Sequence, residues 1–419
     1  MRAERDTIGR RRFLKTVGAV GLGPVLAASQ STAGGPSDAS PVAAAEGQKP
    51  RHPQVPRRKL GKTGVELPCL ALGAVPLNSR NTDVLPAALQ WGVDYWDTAT
   101  NYQNTRSESA IGTHLAENVG LREKLFLASK PPDITTPLPV IADLENELQA
   151  SLKRLHTDYV DLYYAVHNMT NPAQLTDDLK DWVGKAKKRG VIKHFGLSAH
   201  SDMAAVLTKV AKLDWVDVVM IMYNFRLMQD DQYQAGLEAC FKAGIGLVAI
   251  KTQGRGLKME TEADQKLAGR FLSRGFSEAQ AKVKAVLEDK RITSAAVGTP
   301  SVAVLTSNVA AVLDQARLTQ ADRAALDQYA RATCGGYCAG CKSVCESALP
   351  GVPYVREIMR QLMYCNTYGE RDRARELFTQ IPAEVRSRLL ATDYKLAEAC
   401  CPQRLAIGDL IAEAVGKLA

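Results

Sequence analysis

Four side chains of the kinds that reduce a carbonyl group follow short apolar segments of the chain. Asp97 and Lys130 each end such a segment, Tyr102 follows Asp97 by five residues, and His167 comes directly after a third segment. Reduction of a carbonyl needs a hydride, which a nicotinamide supplies, and a proton for the developing alkoxide. An acid, a phenol, an amine and an imidazole from separate segments meet only if those segments form adjacent parallel strands.

The expected role of each side chain follows from its acid–base chemistry. Tyr102 is the candidate proton donor, although a free phenol has a pKa of about 10. The ammonium group of Lys130 would stabilise the phenolate, and Asp97 would pair with Lys130 and keep it charged. His167 would orient the substrate oxygen and donate a hydrogen bond to it. The alternative is that all four are ordinary polar residues at strand ends, so the arrangement of the strands decides between the two.

The segments that must position these residues alternate along the chain. Strand-like runs are separated by amphipathic segments of helical period, such as 144–155 and 179–189. Eight such repeats over about 250 residues predict an α/β fold, a (β/α)8 TIM barrel, whose active site lies at the carboxyl ends of the strands. A doubly wound sheet is the alternative, but no glycine-rich turn follows the first strand. The predicted strands are 67–73, 95–99, 125–130, 160–166, 194–199, 217–224, 246–252 and 294–299.

The net charge of +8 is concentrated at the start of the chain. Residues 1–60 hold 11 Lys and Arg against 4 Asp and Glu, whereas the remaining residues hold 42 against 41. The predicted barrel therefore lacks the basic patch of a nucleic-acid-binding protein, and no nucleic acid partner is expected.

The basic leader resembles a twin-arginine export signal. Arg10-Arg11-Arg12 precedes an apolar run over 17–28 that is rich in Gly and Ala. This run is too short for a stable membrane span, which needs about 20 residues. We expect a signal peptide over 1–33, a disordered linker over 34–56, the Tat export machinery as a partner and a periplasmic or otherwise exported protein. The alternative is a disordered basic terminus.

The barrel region resembles the aldo-keto reductase family over roughly residues 57–320. The resemblance implies a TIM barrel over 57–325, NADP or NAD as the cofactor, a small-molecule carbonyl substrate, and catalysis by Asp97, Tyr102, Lys130 and His167. The matching pieces are Leu60-Gly61-Lys62-Thr63-Gly64, Asp97-Thr98-Ala99 with Tyr102, Ser129-Lys130, His167, Gly196-Leu197-Ser198, Tyr223-Asn224, and Gly298 with Asn308.

The same resemblance implies a nicotinamide site that departs from the family pattern. Ser198 would bind the carboxamide and Tyr223 would stack on the ring. The family often has Asn after that serine and Gln three residues before that tyrosine, but Ala199 and Met220 stand here. Both changes remove polar partners of the carboxamide.

The phosphate side of the predicted cofactor site lies after the last two strands. The loop that contains Lys251 and Gly254 would hold the pyrophosphate with its backbone N–H groups. By resemblance, Thr299 would bind the adenosine phosphate and Asn308 the adenine. Val304 stands where the family has an arginine for the 2′-phosphate, so we expect weak discrimination between NADPH and NADH.

Seven of the nine cysteines lie after residue 330. Cys334, Cys338, Cys341 and Cys345 form C-x3-C-x2-C-x3-C, and a later Cys401-Pro402 pair follows. Four thiolates within twelve residues can hold one metal centre, and a [4Fe–4S] cluster is the first interpretation. Disulfides, a structural zinc and a radical-SAM triad at Cys334, Cys338 and Cys341 are the alternatives.

Some aldo-keto reductases carry a similar ferredoxin-like extension with a late Cys-Pro. This resemblance implies that Cys345 or Cys401 is the fourth ligand, and we expect a small cysteine-containing helical domain over 326–419. Two functions are consistent with the sequence. The first is an exported carbonyl reductase with an auxiliary cluster, and the second is an exported electron-transfer or binding protein, with an electron-transfer partner and a degenerate nucleotide site.

Overall fold

The computed structural model describes residues 52–133, 139–169, 171–257 and 262–419. The predicted signal over 1–33 and most of the predicted linker over 34–56 lie outside these residues. Among the described residues, no helix has the length and apolar character needed to cross a membrane.

Eight parallel strands close into a barrel, and this confirms the predicted TIM-barrel fold. The first strand pairs with both the second and the last, with Leu72 opposite Trp96 and Ala295 opposite Leu70. Most of the strands are largely apolar and buried, which is typical of parallel sheets that are covered on both faces. The barrel strands are β3 (Leu70–Gly73), β4 (Tyr95–Asp97), β5 (Phe126–Ser129), β6 (Val160–Met169), β7 (Ile192–Ala199), β8 (Val218–Met222), β9 (Gly246–Ile250) and β10 (Ser294–Gly298).

The predicted strand over 67–73 is wrong at its start. Two short strands, β1 (Arg57–Lys59) and β2 (Glu66–Pro68), pair with each other as an antiparallel hairpin instead. Only Leu70–Gly73 enters the barrel. The backbone groups of residues 66–68 therefore form hydrogen bonds with β1. The parallel pairing with the last barrel strand begins only at Leu70.

Helices surround the barrel because their apolar faces cover its outer surface. Local signals fix their ends: Thr176 accepts a hydrogen bond from Leu179 N at the start of one helix, and Gly190, with φ of 77°, ends it. The helices of the barrel region are α1 (Val84–Gln90), α2 (Arg106–Glu117), α3 (Ile141–Arg154), α4 (Asp177–Arg189), α5 (Met203–Val210), α6 (Asp231–Lys242), α7 (Glu262–Ser273), α8 (Glu278–Glu288), α9 (Val302–Leu313) and α10 (Gln320–Ala332).

A helical extension follows the barrel and has a hydrophobic cluster of its own, centred on residues such as Ile358, Leu362 and Ile411. It is joined to the carboxyl end of the barrel, where Asn224 donates a hydrogen bond to the Tyr337 hydroxyl across 3.0 Å. The helices of the extension are α11 (Lys342–Glu346), α12 (Val355–Thr367), α13 (Arg371–Thr379), α14 (Ala383–Arg386), α15 (Lys395–Cys400) and α16 (Ile407–Leu418).

Candidate active site

The four predicted catalytic residues line one pocket of about 340 Å³ at the carboxyl end of the barrel. Asp97 ends β4, Lys130 follows β5, and His167 lies near the end of β6. The parallel register places these strands side by side, with Asp97 opposite Ala128 and Ala128 opposite Leu162. The strand ends therefore bring the four side chains together, as the sequence predicted.

Lys130 and Asp97 form a buried ion pair at the base of this pocket. The Lys130 Nζ lies 2.7 and 2.8 Å from the two carboxylate oxygens of Asp97 and 2.8 Å from the Thr98 carbonyl oxygen. Burial raises the pKa of Asp97 and lowers that of Lys130, while the charge of each partner opposes the shift of the other. All three N–H groups of the ammonium have acceptors, so the charge of Lys130 is held in one place.

Tyr102 lies beside this ammonium, with the Lys130 Nζ 4.8 Å from the centre of its ring. The His167 ring packs against it edge to face at 6.5 Å. Burial, followed by the charge of Asp97, raises the pKa of the Tyr102 phenol well above its ordinary value. Tyr102 is therefore protonated at neutral pH and has a proton to give.

His167 is a neutral ring whose proton position follows from its partner. Its Nδ1 lies 2.7 Å from the Pro131 carbonyl oxygen, and since a carbonyl only accepts, Nδ1 must carry the proton. Burial lowers the pKa of His167 to about 4. At neutral pH the Nε2 atom is then an acceptor, an arrangement that does not favour the predicted role of His167 as a hydrogen-bond donor to the substrate.

Three of the predicted cofactor residues lie in or beside this pocket. Ser198 lines it and accepts a hydrogen bond of 2.8 Å from the Asn168 backbone N–H. Lys251 lines it at the end of β9 with φ of 55°, and Gly254 lines an adjoining small cavity. A Cβ atom on Gly254 would come within 2.8 Å of the Phe225 ring, so the turn of this loop needs glycine.

The structure does not bring the other three predicted cofactor residues to the pocket. Tyr223 is 2% exposed and points out of the barrel, where its hydroxyl donates a hydrogen bond of 2.8 Å to Asp289. Its alternation with Met220, which faces the barrel interior, explains this orientation. Thr299 donates its hydroxyl to the Val297 carbonyl oxygen, and Asn308 is buried on α9. The predicted stacking of Tyr223 on the nicotinamide is therefore wrong.

A model of the aldo/keto reductase family matches residues 73–328. The chain belongs to the aldo/keto reductase family. This confirms the family predicted from the sequence, a family of oxidoreductases.

Relatives of this aldo/keto reductase are distant. An NADP(+) aldo-keto reductase of Schizosaccharomyces pombe is 28% identical over 218 residues, which cover 48% of this chain and 62% of the relative. The chain thus spans less than two thirds of that relative. An L-glyceraldehyde 3-phosphate reductase of Escherichia coli O157:H7 is 24% identical over 326 residues, covering 67% of this chain and 93% of the relative. The structure of the holo form of a Bacillus halodurans aldo-keto reductase is 22% identical in sequence and superimposes with a TM-score of 0.56. The match covers 66% of this chain and 96% of the Bacillus halodurans chain, and at this identity it supports only the fold.

The extension of this aldo/keto reductase, which follows the family match, contributes to the pocket in ways the sequence did not predict. Arg360 and Tyr364 on α12, Tyr368 after it and Arg373 on α13 line the pocket together with the predicted catalytic residues. The available signal was weak: Arg360 and Tyr364 are four residues apart, on the same face of a helix whose other buried positions are mostly apolar.

Arg360 connects the extension to His167 through Asp133. The Arg360 Nη1 lies 2.8 Å from the Asp133 Oδ2, and both side chains are about 6% exposed. The Asp133 Oδ1 lies 3.4 Å from the His167 Nδ1. Burial raises the pKa of Asp133, but the charges of Arg360 and Arg373, joined by that of His167 only at acidic pH where its ring is protonated, outweigh burial and hold that pKa well below its ordinary value. Asp133 is therefore charged at neutral pH, and its charge depends on Arg360.

We expect Arg360→Met to destabilise the protein by about 3–5 kcal/mol, because it leaves the Asp133 carboxylate buried without its partner. Urea unfolding of the variant measures this change. The double variant Arg360→Met/Asp133→Asn serves as the control, since it removes both charges and should recover much of the lost free energy of unfolding. Equal unfolding midpoints for the wild type and Arg360→Met would contradict the importance of this pair.

Four cysteines of the extension line a second, small cavity. They are Cys338, Cys341, Cys345 and Cys401. Burial raises the pKa of the Cys341 and Cys345 thiols to about 12, so a bound metal centre would have to displace their protons. All nine cysteines have free thiols. Across the described residues, no group of three or more His, Cys, Asp and Glu side chains is arranged to hold a metal ion.

Cys334 does not line this cavity, which differs from the predicted ligand set. It begins a 3₁₀ turn, Cys334–Gly336, after α10. The Leu257 backbone N–H donates a hydrogen bond of 2.5 Å to the Gly336 carbonyl oxygen and holds this turn against the barrel loop. The cysteines that meet have the pattern C-x2-C-x3-C, starting at Cys338, with the later Cys401-Pro402 pair.

Proposed function

We propose that this aldo/keto reductase reduces a small-molecule carbonyl compound with NADPH or NADH and that Tyr102 donates the proton. The observation that carries the proposal is the pocket in which Tyr102 lies 4.8 Å from an ammonium group that Asp97 holds in place. Membership of an oxidoreductase family supports it. The test is oxidation of NADPH and NADH by the purified protein with a panel of aldehydes and ketones, followed at 340 nm, together with identification of the alcohol product. A protein that reduces none of them and yields no alcohol would overturn the proposal.

Each side chain of the pocket has a task in this reaction. A nicotinamide, when bound, would be the source of the hydride that the carbonyl carbon receives. The Tyr102 hydroxyl donates a hydrogen bond to the carbonyl oxygen and then gives up its proton as charge develops there. Lys130 stabilises the phenolate that remains, and Asp97 keeps Lys130 charged and in place. His167, neutral and without a proton on Nε2, lines the pocket as an acceptor.

The residues around the pocket fit a dinucleotide in part. Lys251 and the turn at Gly254 offer a cation and curved backbone near the pocket, and Ser198 offers a hydroxyl. The name of the Schizosaccharomyces pombe relative specifies NADP(+), which supports the same cofactor class here. Against this, Tyr223 is turned away, and this observation favours the second candidate function, an electron-transfer or binding protein with a degenerate nucleotide site. Equilibrium titration with NADPH separates the two, because the second candidate predicts no saturable binding.

We expect NADPH and NADH to bind with affinities that differ by less than about 100-fold, or about 2.7 kcal/mol. The reason is Val304, an uncharged side chain where the family has an arginine for the 2′-phosphate. Competitive titrations of the two nucleotides measure the ratio. A larger preference for NADPH would mean that another cation binds the phosphate, and Arg255→Gln would then test the nearest candidate on the loop after β9.

We also propose that Cys338, Cys341, Cys345 and Cys401 hold a [4Fe–4S] cluster, which would store or transfer electrons. The convergence of four thiols on one cavity supports this ligand set. The cavity is small, about 20 Å³, and among the described residues these thiols are not arranged to hold a metal ion, so the loop that carries the cysteines would have to rearrange to accept a cluster. A structural zinc and disulfides remain the alternatives, and the iron analysis described below distinguishes them.

The proposed setting of this reaction is outside the cytoplasm. Arg10-Arg11-Arg12 and the apolar run after it support export by the twin-arginine machinery, which carries folded proteins with their cofactors in place. An exported reductase needs a retained nucleotide or electrons from a partner protein, and the proposed cluster would accept the latter. Fractionation of cells that produce the full chain, with and without Arg11→Lys/Arg12→Lys, tests the export.

A further inference from the structure

The C-terminal extension places two guanidinium groups in the catalytic pocket that the proposed carbonyl chemistry alone does not need. We propose that Arg373, supported by Arg360, binds an oxyanion of the substrate, so that the preferred substrates are carbonyl compounds bearing a carboxylate or a phosphate. This inference rests on the proposed function and names its substrate class.

The first observation is the position of Arg373. Its guanidinium carbon lies 5.8 Å from the centre of the Tyr102 ring and 4.7 Å from that of the Tyr364 ring. In the proposed reaction the substrate oxygen contacts the Tyr102 hydroxyl. A charged group a few bonds from that oxygen would therefore lie within reach of Arg373.

The second observation is a pair of buried donors that lack acceptors. The Nε atoms of Arg360 and Arg373 are buried without a hydrogen-bond partner among the described residues. Arg360 is 7% exposed, and Glu370 accepts from Arg373 only at Nη1, across 2.8 Å. An unpaired buried N–H of a charged group lowers stability unless a ligand supplies the acceptor. A carboxylate or phosphate offers several acceptor oxygens to such a fork of donors.

The third observation is an excess of positive charge in the pocket. Its lining contains five cationic side chains, Lys130, Lys251, Arg255, Arg360 and Arg373, and only three acidic ones, Asp97, Asp133 and Glu370. The pKa of Tyr364 responds to the same positive charge. Burial alone would raise the pKa of this phenol, but the charges of Lys251, Arg360 and Arg373 have the larger effect and lower it to about 8. A neutral substrate would leave this excess unused.

The phosphates of the nucleotide do not account for Arg373. They are proposed to bind the loop after β9, which contains Lys251. Lys251 and Arg373 both lie against the Tyr364 ring, 4.6 and 4.7 Å from its centre, but Arg373 also lies over Tyr102, where the substrate must bind. A purely structural role is the alternative, in which Arg373 only pairs with Glu370 at the start of α13. The two roles predict different responses to the charge of the substrate.

The test compares pairs of related carbonyl compounds, of which one carries an anionic group and the other does not. Phenylglyoxylate and its methyl ester form a carboxylate pair, and glyceraldehyde 3-phosphate and glyceraldehyde form a phosphate pair. For Arg373→Gln we expect kcat/KM to fall roughly 10–100-fold for the charged member of the preferred pair, as for the loss of a charge-assisted hydrogen bond. The uncharged member should lose much less, because it carries no oxyanion for the guanidinium to bind. Arg371→Gln, an exposed position on the same helix, is the matched control and should leave both unchanged.

Arg373→Lys keeps the charge and guards against a folding defect of the first variant. We expect it to lose less than Arg373→Gln, because an ammonium still attracts the oxyanion but lacks the guanidinium fork. Equal losses for the charged and uncharged substrates in both variants, or a wild type that does not prefer either charged substrate, would overturn the inference. A preference within the carboxylate pair or within the phosphate pair identifies which oxyanion the site takes.

Binding without turnover separates this inference from the proposed reaction. Calorimetric titration of the full chain with benzoate and with inorganic phosphate should show saturable binding that weakens in Arg373→Gln and persists in Arg371→Gln. If this binding is found but no carbonyl compound is reduced, the anion site stands and the proposed reaction fails. If carbonyl compounds are reduced but neither anion binds through Arg373, the anion site fails and the proposed reaction stands.

Discussion

Tyr102→Phe should lower kcat by about 10²–10⁴-fold, the usual effect of removing a general acid. The variant keeps the aromatic ring that packs against His167 and lies near Lys130, and it removes only the hydroxyl. The proton that Tyr102 would give is held firmly until the reaction, since burial and Asp97 raise the pKa of the phenol well above its ordinary value. The hydrogen bond from the Tyr102 hydroxyl to the bound substrate is also lost, but it is worth only about 0.5–1.5 kcal/mol, so most of the loss should appear in kcat rather than in KM.

The matched control for this prediction is Tyr159→Phe. Tyr159 is a phenol outside the pocket whose ring contacts Arg122 and Lys193, and the same chemical change leaves those ring contacts in place. Its kcat should equal that of the wild type. Steady-state kinetics with the best substrate of the carbonyl panel measure both variants. Full activity of Tyr102→Phe would exclude Tyr102 as the proton donor and leave the pocket without an assigned acid.

The barrel and its four converging residues could be predicted because both depend on local sequence. Apolar runs that are buried on both faces have few alternatives to parallel strands, and a polar residue such as Lys130 at the end of a run lies at the open end of the barrel. Once the strands are adjacent and parallel, the convergence of Asp97, Lys130 and His167 follows from geometry. The sequence therefore determined this part of the site before any distance was known.

Tyr223 was predicted wrongly because the direction of a side chain just beyond a strand depends on alternation. Met220 faces the barrel interior, so the position three residues later faces outward, where Tyr223 meets Tyr233 and Asp289. The family motif gave the residue type without its orientation. The proton position of His167 was equally inaccessible, because it depends on the Pro131 carbonyl oxygen, a backbone group far away in sequence.

The contribution of the extension to the pocket could not be predicted because it depends on long-range packing. Arg360 meets Asp133 across more than 200 positions of the chain, and no pattern of helical period names such a partner. The spacing of the cysteines predicted that some of them converge. The spacing also predicted Cys334 as a ligand, because Cys334 is the first of four closely spaced cysteines. In the structure the converging group starts at Cys338 and includes the distant Cys401.

The proposed cluster makes a sharp prediction about iron. Protein purified without oxygen should contain roughly four irons and four acid-labile sulfides per chain and absorb broadly near 400 nm, as clusters of this type do. Cys345→Ser and Cys401→Ser should each lose most of this iron, because both thiols line the same cavity as Cys338 and Cys341. A ligand set of four thiolates tolerates the loss of one poorly, since each thiolate coordinates one of the four irons.

Cys334→Ser is the matched control, because Cys334 is close in sequence to the proposed ligands but does not line their cavity. It should keep its iron and its absorbance. Loss of iron in Cys334→Ser together with retention in Cys401→Ser would restore the ligand set counted from Cys334. Zinc in place of iron would show a structural zinc instead of the proposed cluster. Fewer than nine titratable thiols in the denatured, metal-free protein would show disulfides. In either case the extension would contribute to the pocket through its lining residues, such as Arg360 and Arg373, without a role in electron transfer.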